Sequence, residues 1–352
     1  MWTSTGSLAD ISSEVLERLL EKGLVLSDEE SRRSSRARDE KLRSVHWHPI
    51  GALMSVFTRW DSVDSVRSLR DQKAETALQL RDAFGPPPPH TGHSQLPLVT
   101  LPRIPPNDFD ALLARRATCR NFDAQRKVPF QQFAQLLQRV FAAQAQVRVS
   151  DDLVFLKKNV PSGGGLHPME CYLIVQHVEG VTPGLYHYQA TAHALEPLPV
   201  PEGRSWEGDG LRGFVMDMVA QQHWFADAHV LVILAPRFDR TFWKYRHHAK
   251  GYRVVALEAG HLSQTLYLSA TEAGLGAFIT GAINEVQIEE AFGLDPIHQG
   301  ALAICGFGWR AQVMETAELD PAGHVWDARG SVTAVLGAVS GLEGESVAGQ
   351  GG

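Results

Sequence analysis

Apolar residues recur at helical spacing in the middle of the chain, and further segments are predicted to be helical. After Pro129, the apolar side chains of residues 130–141 fall three and four positions apart, which predicts an amphipathic helix with the proline in its first turn. A longer helix is predicted from about Tyr252 to Ala273, closed by Gly274. A short helix with a stop at Gly23 is predicted within residues 13–26.

Short continuous apolar runs predict buried strands at residues 171–178, 185–188, 229–236 and 301–308. Strands mixed with long helices are typical of an α+β fold. Upstream of these strands, Asn107 and Asp110 have the spacing of a reciprocal helix cap, which places another helix start there.

The first hundred residues have a different character. Residues 28–43 are strongly charged and are predicted to be solvated, whereas residues 46–60 are apolar enough to pack on something. Four consecutive prolines follow Gly85 and favour a semi-rigid linker. The predicted organisation is therefore an N-terminal segment, a linker, a main domain and a disordered glycine-rich tail, at residues 1–84, 85–100, 101–336 and 337–352.

Composition narrows the class of protein. The net charge of −7 gives no basic footprint for nucleic acid, and no apolar run reaches the roughly 18 residues that span a bilayer. With no secretory signal pattern, a cytoplasmic location is expected. Cys119, Cys171 and Cys305 are too widely spaced for a zinc site or a disulfide framework, and the histidines lack ligand spacing, so no metal is predicted.

The segment RRATCRNFD, residues 115–123, follows a predicted helix. Arg116, Thr118 and Arg120 could converge on one anion, because guanidinium groups suit phosphate oxygens and a hydroxyl adds a neutral donor. The alternative is an ordinary basic helix terminus, favoured by the helix dipole.

The run PSGGGLHP, residues 161–168, precedes a predicted strand. Three consecutive glycines are costly in backbone entropy, so they fit a place where backbone approaches a flat ligand closely. The run lacks the Lys-Ser/Thr of a phosphate loop and the strand-then-helix context of a dinucleotide fingerprint. A plain glycine-rich turn remains the alternative.

Two further motifs follow. Lys244 and Tyr245 are adjacent, and either could be a general base; a surface lysine beside a half-buried tyrosine is the alternative. Residues 272–281, EAGLGAFITG, are predicted to be a helix end followed by a small-residue turn, either a simple helix stop or backbone placed against a cofactor.

Together and in this order, the motifs resemble the nitroreductase superfamily, and more closely its SagB/ThcOx-type branch, the azoline dehydrogenases of ribosomal peptide maturation. The similarity extends over roughly Pro106 to Arg310. The resemblance implies a three-layer α/β/α sandwich, with FMN bound at the interface of a homodimer. It also implies a small N-terminal segment, helical or winged-helix-like, that could bind peptide.

The resemblance assigns roles to residues by position. It implies that the FMN phosphate and pyrimidine edge are contacted by Arg116, Thr118 and Arg120, and that the isoalloxazine ring is contacted by Ser162, Gly163 and Gly164. It places Thr280 and Gly281 near the flavin N5 and O4 edge. Arg310 is implied as a further phosphate ligand. Catalysis falls to Lys244 and Tyr245. Thr118 stands where the family usually has serine and keeps the hydroxyl, whereas Thr265 stands where this branch often has asparagine.

The function implied is oxidation of thiazoline or oxazoline rings in a ribosomally made peptide to azoles, with dioxygen as final acceptor and a precursor peptide and a cyclodehydratase as partners. Two alternatives remain open. One is an NAD(P)H-dependent reductase of nitro compounds, quinones or enones, because a fold alone does not fix a function. The other is a non-catalytic scaffold that binds the precursor peptide through the N-terminal helix and the Trp47 and Trp60 region.

Overall fold

A computed structural model describes residues 11–21, 25–89, 96, 98–320 and 322–326 of the chain. The predicted stop at Gly23 and the predicted tail at residues 337–352 lie outside the described residues. Strands β1 (Ala145–Ser150) and β2 (Leu153–Lys157) form a separate hairpin. The central sheet contains β3 (Met169–Val175), β4 (Gly184–Gln189), β5 (Ala194–Pro197), β6 (Val230–Pro236), β7 (Gly276–Thr280) and β8 (Ala303–Gly308).

The strands of the central sheet lie in the order β5-β4-β3-β6-β8-β7, and each neighbouring pair is antiparallel. Both faces of the sheet are apolar, because alternate side chains of a strand point to opposite faces. Leu173 and Val175 belong to one core cluster, and Tyr172 and Ile174 belong to the other.

Helices cover both faces of the sheet. Helices α7 (Phe130–Val140) and α10 (Gly251–Glu272) pack on the first cluster, and α8 (Gly210–Met218) and α11 (Glu285–Phe292) pack on the second. The result is a three-layer α/β/α sandwich of mixed α+β class, as predicted.

Several sequence predictions are confirmed at the level of elements. Asn107 caps α6 (Asp108–Ala114) in a reciprocal pair of hydrogen bonds with Asp110. Helix α7 follows Pro129 directly, and Gly274 ends α10 with a left-handed φ of 74°. The turn predicted for the residues after Gly274 was wrong, because residues 276–280 form β7, whose Phe278 stacks on Phe225 at 3.8 Å between ring centroids.

The N-terminal part is helical, with α1 (Ser13–Glu21), α2 (Arg33–Ser44), α3 (Pro49–Phe57), α4 (Ser65–Asp71) and α5 (Ala77–Phe84). The helical part of the expectation for this segment is confirmed. The strands of a wing are absent from residues 11–21 and 25–89. Helix α2 occupies most of the charged stretch at residues 28–43 and has no buried residue among those described.

Trp47 fastens this segment to the main domain. Its indole packs against Phe238 and Phe242 of α9 (Phe238–Lys244), with ring centroids 4.7 and 4.6 Å away. Its Nε1 donates to the carbonyl of Ile297 at 2.8 Å. The prediction that residues 46–60 pack on the rest of the protein is therefore confirmed.

Residues 58–65, here called the strap, lie along the start of α11. The Trp60 amide donates to the Glu285 carboxylate at 2.8 Å, and the Val63 amide donates to the Asn284 side chain at 2.8 Å. Arg59 forms an ion pair with Glu289.

No helix among the described residues is long and apolar enough to cross a membrane.

Candidate functional site

The predicted glycine motif, residues 161–168, forms a tight turn between β2 and β3 and is called the glycine loop below. Gly164 and Gly165 have left-handed φ angles of 67° and 69°, a conformation that glycine adopts without steric cost. A Cβ atom on Gly163 would lie 2.2 Å from Cγ1 of Val254 on α10. The loop therefore packs so closely on the helix that a larger residue at position 163 would force a rearrangement.

Lys244 and Tyr245 lie against this loop. Lys244 is the last residue of α9, and Tyr245 follows it. A Cβ atom on Gly164 would be 2.8 Å from Lys244 Nζ and 2.9 Å from the Tyr245 phenol oxygen. Two motifs about eighty residues apart in sequence thus meet at one point, and the missing side chain of Gly164 makes room for both polar groups.

Ser162 at the start of the loop is held from below by α10. Its hydroxyl donates to the buried carboxylate of Glu258, and its oxygen accepts the His167 amide at 2.8 Å. Burial raises the pKa of Glu258, opposed by the hydrogen bond from Ser162 and by the nearby Lys158. Burial also lowers the pKa of Lys158. These charged groups stand directly behind the predicted ring-binding surface.

Arg116 and Thr118 form a second group near the other end of α10. The Thr118 hydroxyl lies 3.0 Å from the phenol oxygen of Tyr267, and the Arg116 guanidinium lies over the Tyr267 ring at 5.5 Å from its centroid. Arg116 forms no ion pair with any described residue. An anion could therefore approach its guanidinium without displacing a carboxylate.

Arg120 and Arg310 are already engaged by the C-terminal segment, which comprises residues 311–320 and 322–326. Arg310 forms an ion pair with Glu318, whose carboxylate is fully buried. The amide of Arg120 donates to Glu318 at 2.6 Å, and its guanidinium donates to the carbonyl of Ala317 at 2.7 Å. Asn121 adds further bonds to this segment. Arg120 and Arg310 therefore differ from Arg116, because their guanidinium groups already have polar partners within the protein.

Thr280 is the last residue of β7, and Gly281 follows it near the strap. Thr280 is buried and its hydroxyl donates to Gln222 at 3.2 Å. Gly281 is exposed and lines a cavity of about 160 Å³ that Arg59, Glu285 and Tyr252 also line. Burial raises the pKa of Glu285 to about 7.

The fold and the motifs can now be compared with those of known proteins. The sequence model of the nitroreductase family matches residues 113–309, which is more than half of the chain, and the chain belongs to that family. The resemblance drawn from the four motifs is thereby confirmed at the family level.

Relatives of two kinds match the chain. A protein of Methanocaldococcus jannaschii named as a nitroreductase is 30% identical over 193 residues, covering 54% of this chain and 87% of its own. The trifolitoxin-processing protein of Rhizobium leguminosarum is 29% identical and the microcin B17-processing protein of Escherichia coli is 26% identical, over 42% and 53% of this chain. The chain spans 38% and 65% of the length of those two proteins.

Among solved structures, a chain of the E. coli microcin synthetase complex, solved with truncated pro-MccB17 bound, superposes with a TM-score of 0.55 at 18% identity. The match covers 83% of this chain and 98% of that one. At this identity the likeness concerns the fold. The two peptide-processing relatives support the peptide-maturation branch of the family.

Sequence reasoning missed three residues that organise the site: Glu258, Tyr267 and Glu318. Glu258 and Tyr267 lie on α10, for which the sequence predicted only the extent and the stop at Gly274. A glutamate in a helix is usually exposed to solvent, so nothing in the sequence marks Glu258 as buried. Glu318 lies after the last strand, where the sequence shows no periodic pattern. Its role is visible only in the structure, where its carboxylate forms an ion pair with Arg310 and accepts a hydrogen bond from Asn121.

Proposed function

We propose that this protein is an FMN-dependent dehydrogenase that oxidises thiazoline or oxazoline rings in a ribosomally made peptide to azoles. The observation that carries the proposal is the contact of Lys244 and Tyr245 with the glycine loop. The relatives named for processing trifolitoxin and microcin B17 support a peptide substrate. A precursor peptide and a cyclodehydratase are the partners that such a reaction requires.

The residues present are compatible with FMN. A phosphate would suit Arg116, whose guanidinium forms no ion pair within the described part of the chain, and Thr118, which offers a hydroxyl. A flat ring would suit the backbone of Ser162, Gly163 and Gly164. Arg310 and Arg120 could contribute only in competition with Glu318 and the Ala317 carbonyl.

The spacing of these two groups supports a homodimer. Val254 contacts the glycine loop and Tyr267 holds Thr118, and they are 13 residues apart on α10, or about 20 Å at 1.5 Å per residue. In a dimer, the glycine loop of one copy and Arg116 of the other would face the same cofactor. Thr280 and Gly281 would then contribute the edge of the ring site.

In the proposed reaction, Tyr245 or Lys244 removes the proton from the former α-carbon of the azoline ring. Bound FMN would supply the acceptor for the hydride that leaves the former β-carbon, with dioxygen as the final oxidant. The ring thereby loses two hydrogens and gains a double bond. The loop and the Lys–Tyr pair determine the distance between the base and the ring, which is the main contribution of the protein.

The test is replacement of both Lys244 and Tyr245 by alanine. The double variant should remain yellow and FMN-loaded, and azole formation should fall by roughly 10²–10⁴-fold, the usual contribution of a general base. Lys250→Ala, an exposed lysine nearby, is the matched control and should retain activity. Full activity in the double variant would refute the assignment.

An NAD(P)H-dependent reductase is the second candidate, favoured by the relative from M. jannaschii that is named as a nitroreductase. The two functions differ in the direction of electron flow. Mixing the FMN-loaded protein with NADPH under anaerobic conditions separates them. Rapid bleaching of the flavin supports a reductase, and a flavin that stays oxidised supports the dehydrogenase.

A further inference from the structure

Glu258 is a buried carboxylate that the proposed reaction does not use. It is 2% exposed and lies on α10 behind the glycine loop. We propose that Glu258 is a positioning residue: it holds the glycine loop against Lys244 and Tyr245, and it orients the Ser162 hydroxyl so that only an oxygen lone pair faces a bound ligand. The inference rests on the proposed function insofar as that ligand is FMN.

The existing hydrogen bonds of the Ser162 hydroxyl determine which polar groups of a ligand it can still bind. A hydroxyl has one donor and two acceptor positions. The donor is used by Glu258, and one acceptor position is used by the His167 amide. One lone pair remains, so a third partner must be an N–H or O–H donor. A carbonyl oxygen of a ligand would be refused as long as Glu258 is ionised.

The backbone of the loop explains why it needs such an anchor. Gly164, Gly165 and His167 all have left-handed φ angles, of 67°, 69° and 46°. For His167, which carries a side chain, this conformation is strained and persists only when the surroundings impose it. Three hydrogen bonds hold this part of the loop: Ser162 to Glu258, the His167 amide to Ser162, and Arg240 to the carbonyl of Leu166.

The charges that face Glu258 come from several elements. Lys158, on the segment before the loop, is 6% exposed and attracts the carboxylate, as does His261 one turn further along α10. The backbone of Met169 at the start of β3 also hydrogen-bonds the carboxylate. Burial is the largest influence and raises the pKa of Glu258, and these contacts oppose that rise. In its ionised form the carboxylate accepts the hydrogen bond of the Ser162 hydroxyl.

The first test measures how firmly the loop is held, in protein freed of FMN. Amide hydrogen exchange of residues 158–169 should accelerate at least tenfold in Glu258→Ala and in Ser162→Ala. It should stay near the wild-type rate in Glu258→Gln, whose amide oxygen can still accept the Ser162 proton. Glu272→Gln makes the same chemical change on an exposed position of the same helix and is the control. Unchanged exchange in Ser162→Ala and Glu258→Ala would overturn the positioning role.

The second test measures the midpoint potential of bound FMN against reference dyes. Glu258→Gln removes a negative charge behind the ring site, so the potential should become more positive, whereas Glu272→Gln should leave it unchanged. A purely structural role would not move the potential in Glu258→Gln, because that variant keeps the loop in place. An unchanged potential would overturn the placement of Glu258 beside the ring. If FMN does not bind at all, the proposed function fails, and the exchange measurement still decides the role in the loop.

Discussion

At the scale of single residues, two neighbouring glycines share a backbone conformation and differ in their surroundings. Gly164 and Gly165 have φ angles of 67° and 69°. A Cβ atom on Gly164 would meet Lys244 and Tyr245 within 3 Å, whereas one on Gly165 would meet nothing within 4 Å. The two positions therefore separate the cost of backbone strain from the cost of displacing the Lys–Tyr pair.

Gly164→Ala and Gly165→Ala should each lower the free energy of unfolding by roughly 1–2 kcal/mol, because both place a Cβ in the left-handed region. Only Gly164→Ala should also lower kcat, at least tenfold, since it pushes Lys244 and Tyr245 off the loop. Denaturant titration and the rate of product formation measure the two effects. Equal loss of kcat in both variants would contradict this division.

The sequence identifies these residues better than it identifies their supports. Three glycines in a row and an adjacent Lys–Tyr pair are visible as motifs. Glu258 is not, because its burial depends on a loop that arrives from ninety residues earlier and covers it. The bonds that engage Arg120 and Arg310 are likewise invisible, since they require the chain to return from residue 318.

At the scale of elements, the strap and α11 are joined by carboxylates that titrate in an unusual range. Burial raises the pKa of Glu285 from its usual value near 4.5 to about 7, with Glu289 adding to the rise and Arg59 opposing it. The folded protein therefore binds this proton more tightly than the unfolded chain does. The stabilisation is complete below pH 4.5 and is lost as the pH rises through 7.

Glu285→Gln removes this titration and keeps an acceptor for the Trp60 amide. Relative to wild type, the variant should gain stability between about pH 5 and pH 8, by up to roughly 3 kcal/mol, because each pKa unit corresponds to 1.36 kcal/mol. Unfolding free energies measured across this range provide the check. Glu290→Gln, exposed on the same helix, is the control, and a constant difference between Glu285→Gln and wild type would contradict the prediction.

Long periodic elements were the easiest to predict. Helix α7 follows the apolar spacing of its own residues and begins directly after Pro129. Helix α10 ends at Glu272, two residues before the predicted stop at Gly274. Strand β7 was missed, because its small residues resemble a turn until Phe278 stacks on Phe225. Its identity as a strand comes from pairing with β8, which no local pattern reports.

At the scale of the whole molecule, the C-terminal segment completes the domain. The family match ends at residue 309, yet Glu318 beyond it engages Arg310 and Asn121. Arg310 has a side chain only 16% exposed and Glu318 is fully buried. Removing one partner of such a pair leaves a buried charge without compensation.

Glu318→Ala should therefore destabilise the protein by roughly 3–5 kcal/mol. Glu315→Ala, an exposed glutamate of the same segment, should change stability by less than about 0.5 kcal/mol. Thermal or denaturant unfolding of the two variants gives the comparison. Similar values for both would show that the segment contributes nothing through its buried carboxylate.

The strap connects the N-terminal helices to α11, beside the cavity at Gly281. It joins a segment fastened by Trp47 to the helix that follows Gly281, so displacing it breaks the bonds of Trp60 and Val63 to α11. If a ligand bound only to protein with a displaced strap, it would change the affinity for any ligand at the Gly281 cavity that contacts the strap. Thermodynamic linkage requires the reverse effect to have the same factor. The change in affinity measured for one of the two ligands would therefore give the change in affinity for the other.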